Sequence, residues 1–220
     1  MNSGSASLWP TFLQAIVETL QMVSVTLLVG GFAGLVIGIL LYTTRAGNLL
    51  ANRPVFTALN VLVNTVRPIP FIIFITAIQP LTVEVTGTSY GTEAVIFPMA
   101  IMATFGTSRI VEQNLVALDP GVIEAARAMG AGPLRIILTV IIPEALGPLV
   151  LGYTFLFVAI TDMSAMAGAV AGGGLGDFAL QYGYQRFNPV VTWFTLGVIV
   201  VIVQLGQVLG NWLARRVMRR

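Results

Sequence analysis

Residues 124–145 read EAARAMGAGPLRIILTVIIPEA and place a short polar helix directly before an apolar run. The pair Asp119-Pro120 precedes the helix and suits its start, because aspartate caps the first amides and proline fits the first turn. Gly130 and the pair Gly132-Pro133 are expected to end it. A polar helix this short is unstable alone in water. The sequence therefore predicts either a helix that docks in another protein's groove or a plain connector between membrane spans.

The composition predicts an integral membrane protein. Of the 220 residues 56% are hydrophobic and only 9% are charged, and the mean hydropathy is +0.91, whereas soluble domains carry about 25% charged residues. One transmembrane domain, expected over residues 15–210, takes up this length. The absence of cysteine and histidine argues against disulfides, a zinc site and a histidine-based triad. All basic residues are arginines, so the chain lacks the lysine of a Walker A phosphate loop.

Five apolar runs are each close to the roughly 20 residues that cross a bilayer. They cover residues 17–42, 55–80, 94–111, 140–160 and 190–213. The second run is interrupted by Arg67-Pro68-Ile69-Pro70, which should bend it. The polar segment TVEVTGTSYGTE after it is expected to form a hairpin. The start of the chain lacks the basic segment of a signal peptide, so the first run is expected to be retained. An odd number of spans predicts termini on opposite sides.

The arginines predict which side is cytoplasmic, because basic residues concentrate in cytoplasmic loops. Those that fall on one side of a five-span arrangement are Arg45, Arg53, Arg109, Arg127, Arg135, Arg215, Arg216, Arg219 and Arg220. The other side holds Glu84, Glu93 and, as its single arginine, Arg186. The sequence therefore predicts an external N-terminus and a cytoplasmic C-terminus, with the basic tail explained as a topology anchor. The polar helix then lies in the cytoplasm.

The spacing inside the opening segment resembles the EAA signature of ABC-importer permeases, EAA-x3-G-x9-I-x-L-P. Here Glu124-Ala125-Ala126 is followed after three residues by Gly130 and after nine more by Val140-Ile141-Ile142-Pro143. Val140 and Ile142 are conservative replacements. In that family the segment is the coupling helix, which docks into a cleft on the cytoplasmic ATPase subunit. The resemblance assigns this role to Glu124, Ala125, Ala126, Arg127, Met129, Gly130 and Pro143.

Longer stretches are similar to the methionine-importer permeases, the membrane subunits of D- and L-methionine ABC transporters. They read VNTVRPIPFIIF, GTSYGTEA, IVEQNLVALDPGVIEAARAMGA, PEALGPLV and SAMAGAVAGGGLGDFALQYGYQRFN. The resemblance implies the all-α type I importer fold with five spans, in a bacterial inner membrane. It implies a homodimer, two partner subunits that bind ATP, and an external methionine-binding lipoprotein. No catalytic residue, metal, cofactor or nucleic acid is expected for the permease itself. A permease for another small amino acid or similar solute is the alternative.

Polar side chains share one helical face of the second run, at offsets 0, 3, 7 and 10. They are Thr57, Asn60, Asn64 and Arg67. Polar groups inside a membrane face a bundle interior or a water-filled cavity rather than lipid. Two interpretations are open, namely hydrogen bonding between helices and the lining of an inward-open cavity between two copies related by a two-fold axis.

The end of the fourth run carries the candidate gate. Ser164 and other small residues surround Met166, which allows close helix approach, and a methionine side chain can seal a gap flexibly. In the similar permeases a methionine at this position is part of the constriction, so the resemblance assigns that role to Met166, with ordinary packing as the alternative. The family tends to have Gly-Tyr where this chain has Asp162-Met163. The Asp162 carboxylate could attract a substrate ammonium, pair with an arginine or lie at the external edge.

Two other classes of protein fit less well. A secondary transporter usually shows internal repeats and an intramembrane ion site, and no clear repeat is visible. A membrane enzyme needs convergent nucleophile, base or metal ligands, whereas the acidic residues here are scattered. Neither class explains the EAA spacing.

Overall fold

The computed structural model describes residues 8–218, and this part of the chain is helical, without β-strands. In chain order the helices are α1 (Trp9–Thr44), α2 (Arg53–Val66), α3 (Phe71–Ala77), α4 (Gln79–Thr86), α5 (Thr92–Val116), α6 (Pro120–Ala128), α7 (Pro133–Ile136), α8 (Ile142–Gly168), α9 (Gly174–Phe178) and α10 (Pro189–Met218). Wider π-helical turns over Ile137–Ile141 and Ala179–Tyr184 join α7 to α8 and extend α9.

Four helical segments in this range are long and apolar enough to cross a membrane: α1, α5, the continuous stretch Pro133–Gly168, and α10. The fifth predicted span is different, because α2 and α3 meet at an angle of 104°. Pro68 and Pro70 explain the break, since neither has an amide that could continue the helical hydrogen bonding. The predicted break at Arg67-Pro68-Ile69-Pro70 in the run over 55–80 is therefore confirmed. The five-span arrangement holds if the pair α2–α3 counts as one broken span.

The predicted hairpin over residues 82–93 is wrong at both ends. Residues up to Thr86 belong to α4 and Thr92 begins α5, so only residues 87–91 form turns, with φ angles of +78° at Gly87 and +89° at Gly91. The sequence did not predict this part of α4, because its alternating threonine, valine and glutamate residues show no helical periodicity. The outer helices are also longer than predicted, beginning at Trp9 for α1 and ending at Met218 for α10.

One end of the helical bundle, called here the Trp9 end, gathers the start of α1, the start of α5 and the chain after α8. The Gly91 amide donates to the Ala171 carbonyl at 2.8 Å. The rings of Phe12 in α1 and Phe178 in α9 lie 5.2 Å apart, edge to face. These contacts fix the glycine-rich segment after α8 against the starts of α1 and α5.

The opposite end, called here the Met218 end, gathers the end of α1, the end of α5, α6 and the end of α10. Tyr42, Leu115 and Ile123 belong to one buried cluster, and the Met218 side chain lies against Gly147 near the start of α8. Helices α1, α5 and α10 therefore run from the Trp9 end to the Met218 end, and α8 and the α2–α4 segment run back. Leu8 and Met218, the ends of the described chain, consequently lie at opposite ends of the bundle.

The most extensive helix pairing joins α1 to α5, through glycines spaced four residues apart. Gly30, Gly34 and Gly38 of α1 face Ala100, Thr104 and Ser108 of α5. A Cβ built on Gly34 would lie 2.6 Å from the Thr104 carbonyl oxygen. Membrane helices that approach this closely gain packing and weak Cα–H···O contacts in the absence of a hydrophobic driving force. This stripe places α1 and α5 in backbone contact.

Helix α10 contrasts with this pair. Only 6% of the most apolar 18-residue stretch of α10 is buried against the rest of the chain, whereas the corresponding share for α5 is 50%. It touches α8 through Gly206 and Gly210, where the Phe157 and Thr154 side chains fill the space that a Cβ would need. Most of the remaining surface of α10 before its terminal arginines is apolar and is left for lipid or for another subunit.

Candidate functional site

Helix α6 has a defined beginning and end, as the sequence predicted. The Asp119 carboxylate accepts a hydrogen bond from the Gly121 amide at 2.9 Å, which caps the N-terminus. At the other end the Gly130 amide donates to the Arg127 carbonyl at 2.9 Å, and the Ala131 amide donates to the Ala126 carbonyl at 3.1 Å. This pair of bonds is the Schellman arrangement, which needs a left-handed residue. Gly130 supplies it, with φ of +78°.

The two faces of α6 have different surroundings. Ile123 and Ala126 are buried against the chain's own helices. Glu124, Ala125, Arg127, Ala128 and Met129 are exposed, and Met129 has 81% of its surface free. Ala126, which the sequence grouped with the docking residues, therefore points the opposite way, because it lies three residues after Ile123 on the same face. The small Ala126 side chain lets α6 lie close to the bundle.

Contacts of α6 connect it to several spans. Ile123 and Ala126 share a buried cluster with Tyr42 of α1, Leu115 of α5 and Ile141 in the turn before α8. One buried cluster therefore joins α6 to residues of α1, α5 and the turn before α8.

The turn between α7 and α8 is widened at the end of the EAA spacing. The Ile142 amide donates to the Ile137 carbonyl, five residues back, rather than to the usual partner four residues back. Pro143 follows at the first turn of α8 and is exposed. A proline lacks the amide donor and its ring crowds the carbonyl four residues earlier, so the wider turn accommodates it. This places the EAA proline at the junction of α6–α7 with a membrane span.

Part of the polar face of α2 forms a network with α5. Arg109 donates hydrogen bonds to the side-chain oxygens of Asn60, at 2.9 Å, and Asn64, and it forms an ion pair with Glu112. The Asn64 amide donates to the Asn60 oxygen at 3.1 Å. Hydrogen bonding between helices, one of the two interpretations of this face, is therefore present for Asn60 and Asn64. Arg67 is exposed and lies outside the network.

The predicted gate residues at the end of α8 divide into three environments. Ser164 is buried, and its hydroxyl donates to the Thr161 carbonyl at 2.7 Å within its own helix. Asp162 is exposed, and no ion pair involves it within residues 8–218. Met166 is half-buried and packs against the cluster around Met99 and Ile160. Part of the Met166 side chain therefore remains exposed on the surface of this chain.

The glycine-rich segment after Met166 is held by a polar clamp from α1 that the sequence analysis missed. The Glu18 carboxylate accepts from the Gly174 amide at 2.7 Å, and the Thr19 hydroxyl accepts from the Leu175 amide at 2.8 Å. A carboxylate at the start of a helix is stabilised by the free amides and the helix dipole. The signal was available in the sequence, because Glu18 is an acidic residue inside the first apolar run.

A cavity of about 250 Å³ lies at the Trp9 end between α3, α4 and α5. Its lining mixes polar and apolar side chains: Ile75, Thr76, Gln79, Thr82, Ser89, Ala94, Val95, Pro98 and Val170. Val170 follows Met166 by one turn, so the cavity adjoins the segment predicted to form the gate.

The apolar spans, the short exposed helix at one end and the polar groups between spans together define the membrane-embedded subunit of a transporter. The chain belongs to the family described as "Binding-protein-dependent transport system inner membrane component", whose profile matches residues 30–220. The resemblance to the type I importer permeases is thereby confirmed at the level of the family and the fold.

Named relatives extend this assignment. A protein of Vibrio cholerae named "Probable D-methionine transport system permease protein MetI" is 41% identical over 208 residues, covering 94% of this chain and 92% of that protein. The "D-methionine transport system permease protein MetI" of Escherichia coli K12 is 40% identical over 156 residues, covering 71% of this chain and 72% of that one.

Solved structures give the same result. A chain of the native crystal form of "Inward facing conformations of the MetNI methionine ABC transporter" superposes with a TM-score of 0.94 at 39% identity and covers 99% of both chains. A chain of "Crystal structure of an amino acid ABC transporter with histidines" shares the fold alone, with a TM-score of 0.77 at 20% identity over 96% of both chains.

Proposed function

We propose that this chain is the membrane-spanning subunit of an ATP-driven importer of D- and L-methionine, and that α6 couples it to an ATPase subunit. The observation that carries the proposal is the geometry of α6. Two of its residues anchor it to three spans, and Glu124, Ala125, Arg127 and Met129 face outward with the spacing of the EAA signature. Relatives whose names state methionine transport support the solute.

We infer that two copies assemble around a two-fold axis to form the path. In α2 only Val63 is buried, while Thr57, Asn64 and Arg67 are exposed within a segment that belongs to the broken span. Polar and charged side chains facing lipid are costly. A second copy or a water-filled path between copies provides the surroundings that these side chains need.

The same proposal assigns a separate role to each subunit of the importer. ATP binds and is hydrolysed on two partner subunits, so the permease carries no catalytic site and no cofactor of its own. A methionine-binding lipoprotein delivers the solute from outside, at the Trp9 end. The transmembrane domain spans residues 15–210 in a bacterial inner membrane.

We propose that the Met218 end is cytoplasmic. It carries α6 with Arg127 and also Arg215 and Arg216 at the end of α10, as expected for cytoplasmic arginines. Arg219 and Arg220, which contributed to this prediction, lie outside the described residues. Fusing green fluorescent protein, which folds in the cytoplasm but not after export as an unfolded chain, to either terminus tests the orientation. We expect fluorescence from the C-terminal fusion only, and a fluorescent N-terminal fusion would contradict the arrangement.

Met166 is expected to act as the gate because its free side would face the same residue of the second copy. Met166→Ala should widen the constriction and leak methionine without ATP, whereas Met166→Trp should block uptake. Both variants should still assemble, since the side chain is only half-buried. Uptake into proteoliposomes with and without ATP measures both effects. Transport indistinguishable from the parent in both variants would assign Met166 to ordinary packing.

The test of the overall function is uptake by the reconstituted complex of permease, ATPase and binding lipoprotein. We expect ATP-dependent accumulation of radiolabelled methionine that unlabelled methionine abolishes.

The exposed Asp162 near the gate favours the alternative of a solute that carries an additional positive charge. Competition by lysine or arginine but not by methionine would therefore replace the methionine assignment, and accumulation without ATP would contradict the importer proposal.

A further inference from the structure

The ion pair between Arg109 and Glu112 lies inside a membrane-spanning helix, where charges are costly. Only 17% of the Arg109 side chain and 5% of the Glu112 side chain are exposed. The two residues are three positions apart on α5, so they neutralise each other on one helix face. The two opposite charges would be neutralised without a contact to any other helix. Arg109 nevertheless directs its second terminal nitrogen away from Glu112, to α2.

Helix α2 depends on this contribution because its other attachments to the chain are few. Val63 is its single buried residue. The 104° bend between α2 and α3 means that α3 does not continue α2 and does not fix its orientation. The Asn60 oxygen accepts from both Arg109 and Asn64, which makes the two asparagines and the arginine one connected set. Side-chain hydrogen bonds are one of the interactions that hold membrane helices together.

The end of α5 that carries Arg109 and Glu112 is also fixed to the coupling helix. Glu112 lies one turn before the end of α5 at Val116, and α6 begins at Pro120. Val111 and Leu115, on either side of Glu112, belong to the buried cluster that holds Ile123 of α6. The end of α5 is therefore connected to α6 by packing and to α2 by the arginine.

We propose that Arg109 is a positioning residue that locks α2 to α5 through Asn60 and Asn64, so that α2 moves together with the coupling helix. This inference rests on the proposed function of α6. The lock transmits movement from α6, through the end of α5, to the helix that carries the exposed polar side chains of the path. Without it, ATP hydrolysis would move α5 while α2 stays behind.

A double-mutant cycle in the reconstituted complex tests the lock. Arg109→Gln and the double substitution Asn60→Ala/Asn64→Ala should each lower the methionine taken up per ATP hydrolysed by about tenfold. Combining them should lower it no further, because both remove the same link. The asparagine variant leaves the Arg109–Glu112 pair in place, so it remains informative if Arg109→Gln does not assemble. Effects that multiply, or a ratio equal to the parent's in the asparagine variant, would overturn the proposal.

Two matched controls separate a lock from general packing. Thr65→Val removes a hydroxyl whose bond stays within α2, to the Val61 carbonyl at 2.8 Å, and should leave the uptake ratio unchanged. Asn64→Asp keeps an oxygen that accepts from Arg109 and should retain coupling where Asn64→Ala does not. A merely structural role would instead lower the amount of assembled complex and leave the uptake ratio unchanged.

A second measurement does not depend on the solute. The chain has no cysteine, so a cysteine introduced at Thr57 of α2 is a unique target for a water-soluble maleimide. Trapping the complex with ATP and vanadate should change the labelling rate in the parent but not in the Asn60→Ala/Asn64→Ala variant. Equal changes in both, or no change in the parent, would overturn the lock. A parent that shows the labelling change but does not accumulate methionine would count against the proposed solute and not against the lock.

Discussion

Gly34→Val is expected to prevent α1 from packing on α5 and to remove most of the correctly assembled protein. A Cβ at this position would lie 2.6 Å from the Thr104 carbonyl oxygen and 2.9 Å from the Thr107 Cγ2 atom. A backbone oxygen cannot turn away as a flexible side chain can, so the two helices would have to separate. Overpacking of this kind costs about 3 kcal/mol or more. Size-exclusion chromatography and thermal unfolding in detergent would measure the loss.

Gly106→Val on α5 is the matched control for this substitution. A Cβ built there meets no atom within 4 Å apart from its chain neighbours and its own helix backbone, so the same valine should leave the elution profile and the melting temperature close to those of the parent. Equal losses in both variants would show that valine is poorly tolerated in general. A fully assembled Gly34→Val variant would show that the contact between α1 and α5 is not required for the fold.

Gly130→Val is expected to uncouple uptake from ATP hydrolysis while the protein still assembles. Valine is β-branched and strongly disfavours the φ of +78° found there. We expect a penalty of about 2 kcal/mol, which is roughly a thirtyfold loss of the native end of α6. The Ala131–Ala126 hydrogen bond would be lost with it, and Met129 would be displaced. ATPase activity and methionine uptake, measured together in proteoliposomes, should separate, with hydrolysis retained and uptake lost.

Two neighbouring substitutions serve as controls for Gly130→Val. Gly132→Ala should be neutral, because φ is −70° at that position and a Cβ meets open space. Gly130→Asn should retain more coupling than Gly130→Val, because asparagine tolerates the left-handed conformation better than other residues do. Normal ATP-driven uptake by Gly130→Val, at parental protein levels, would show that the end of α6 has no part in coupling.

Local sequence rules predicted the boundaries of α6 correctly. Asp119 caps the helix, and Gly130 ends it in the left-handed conformation. Both effects act within a few residues along the chain, so neither requires knowledge of the tertiary structure. The same rules also placed the break within residues 55–80. They indicated a bend at Pro68 and Pro70, but its size, 104°, depends on how α3 packs against α5 and α8.

By itself the sequence determined the class of protein, the number of apolar runs, the polar face of α2 and the ends of α6, because composition and helical period act along one segment. Only the tertiary structure decided which segments meet. Arg109 entered the sequence analysis solely as a topology signal, yet it joins the two asparagines of α2 across 45 or more residues of chain. Likewise, Glu18 holds the Gly174 amide 156 residues away. A hydrogen bond requires two groups within about 3 Å, and that proximity is set by the packing of whole helices.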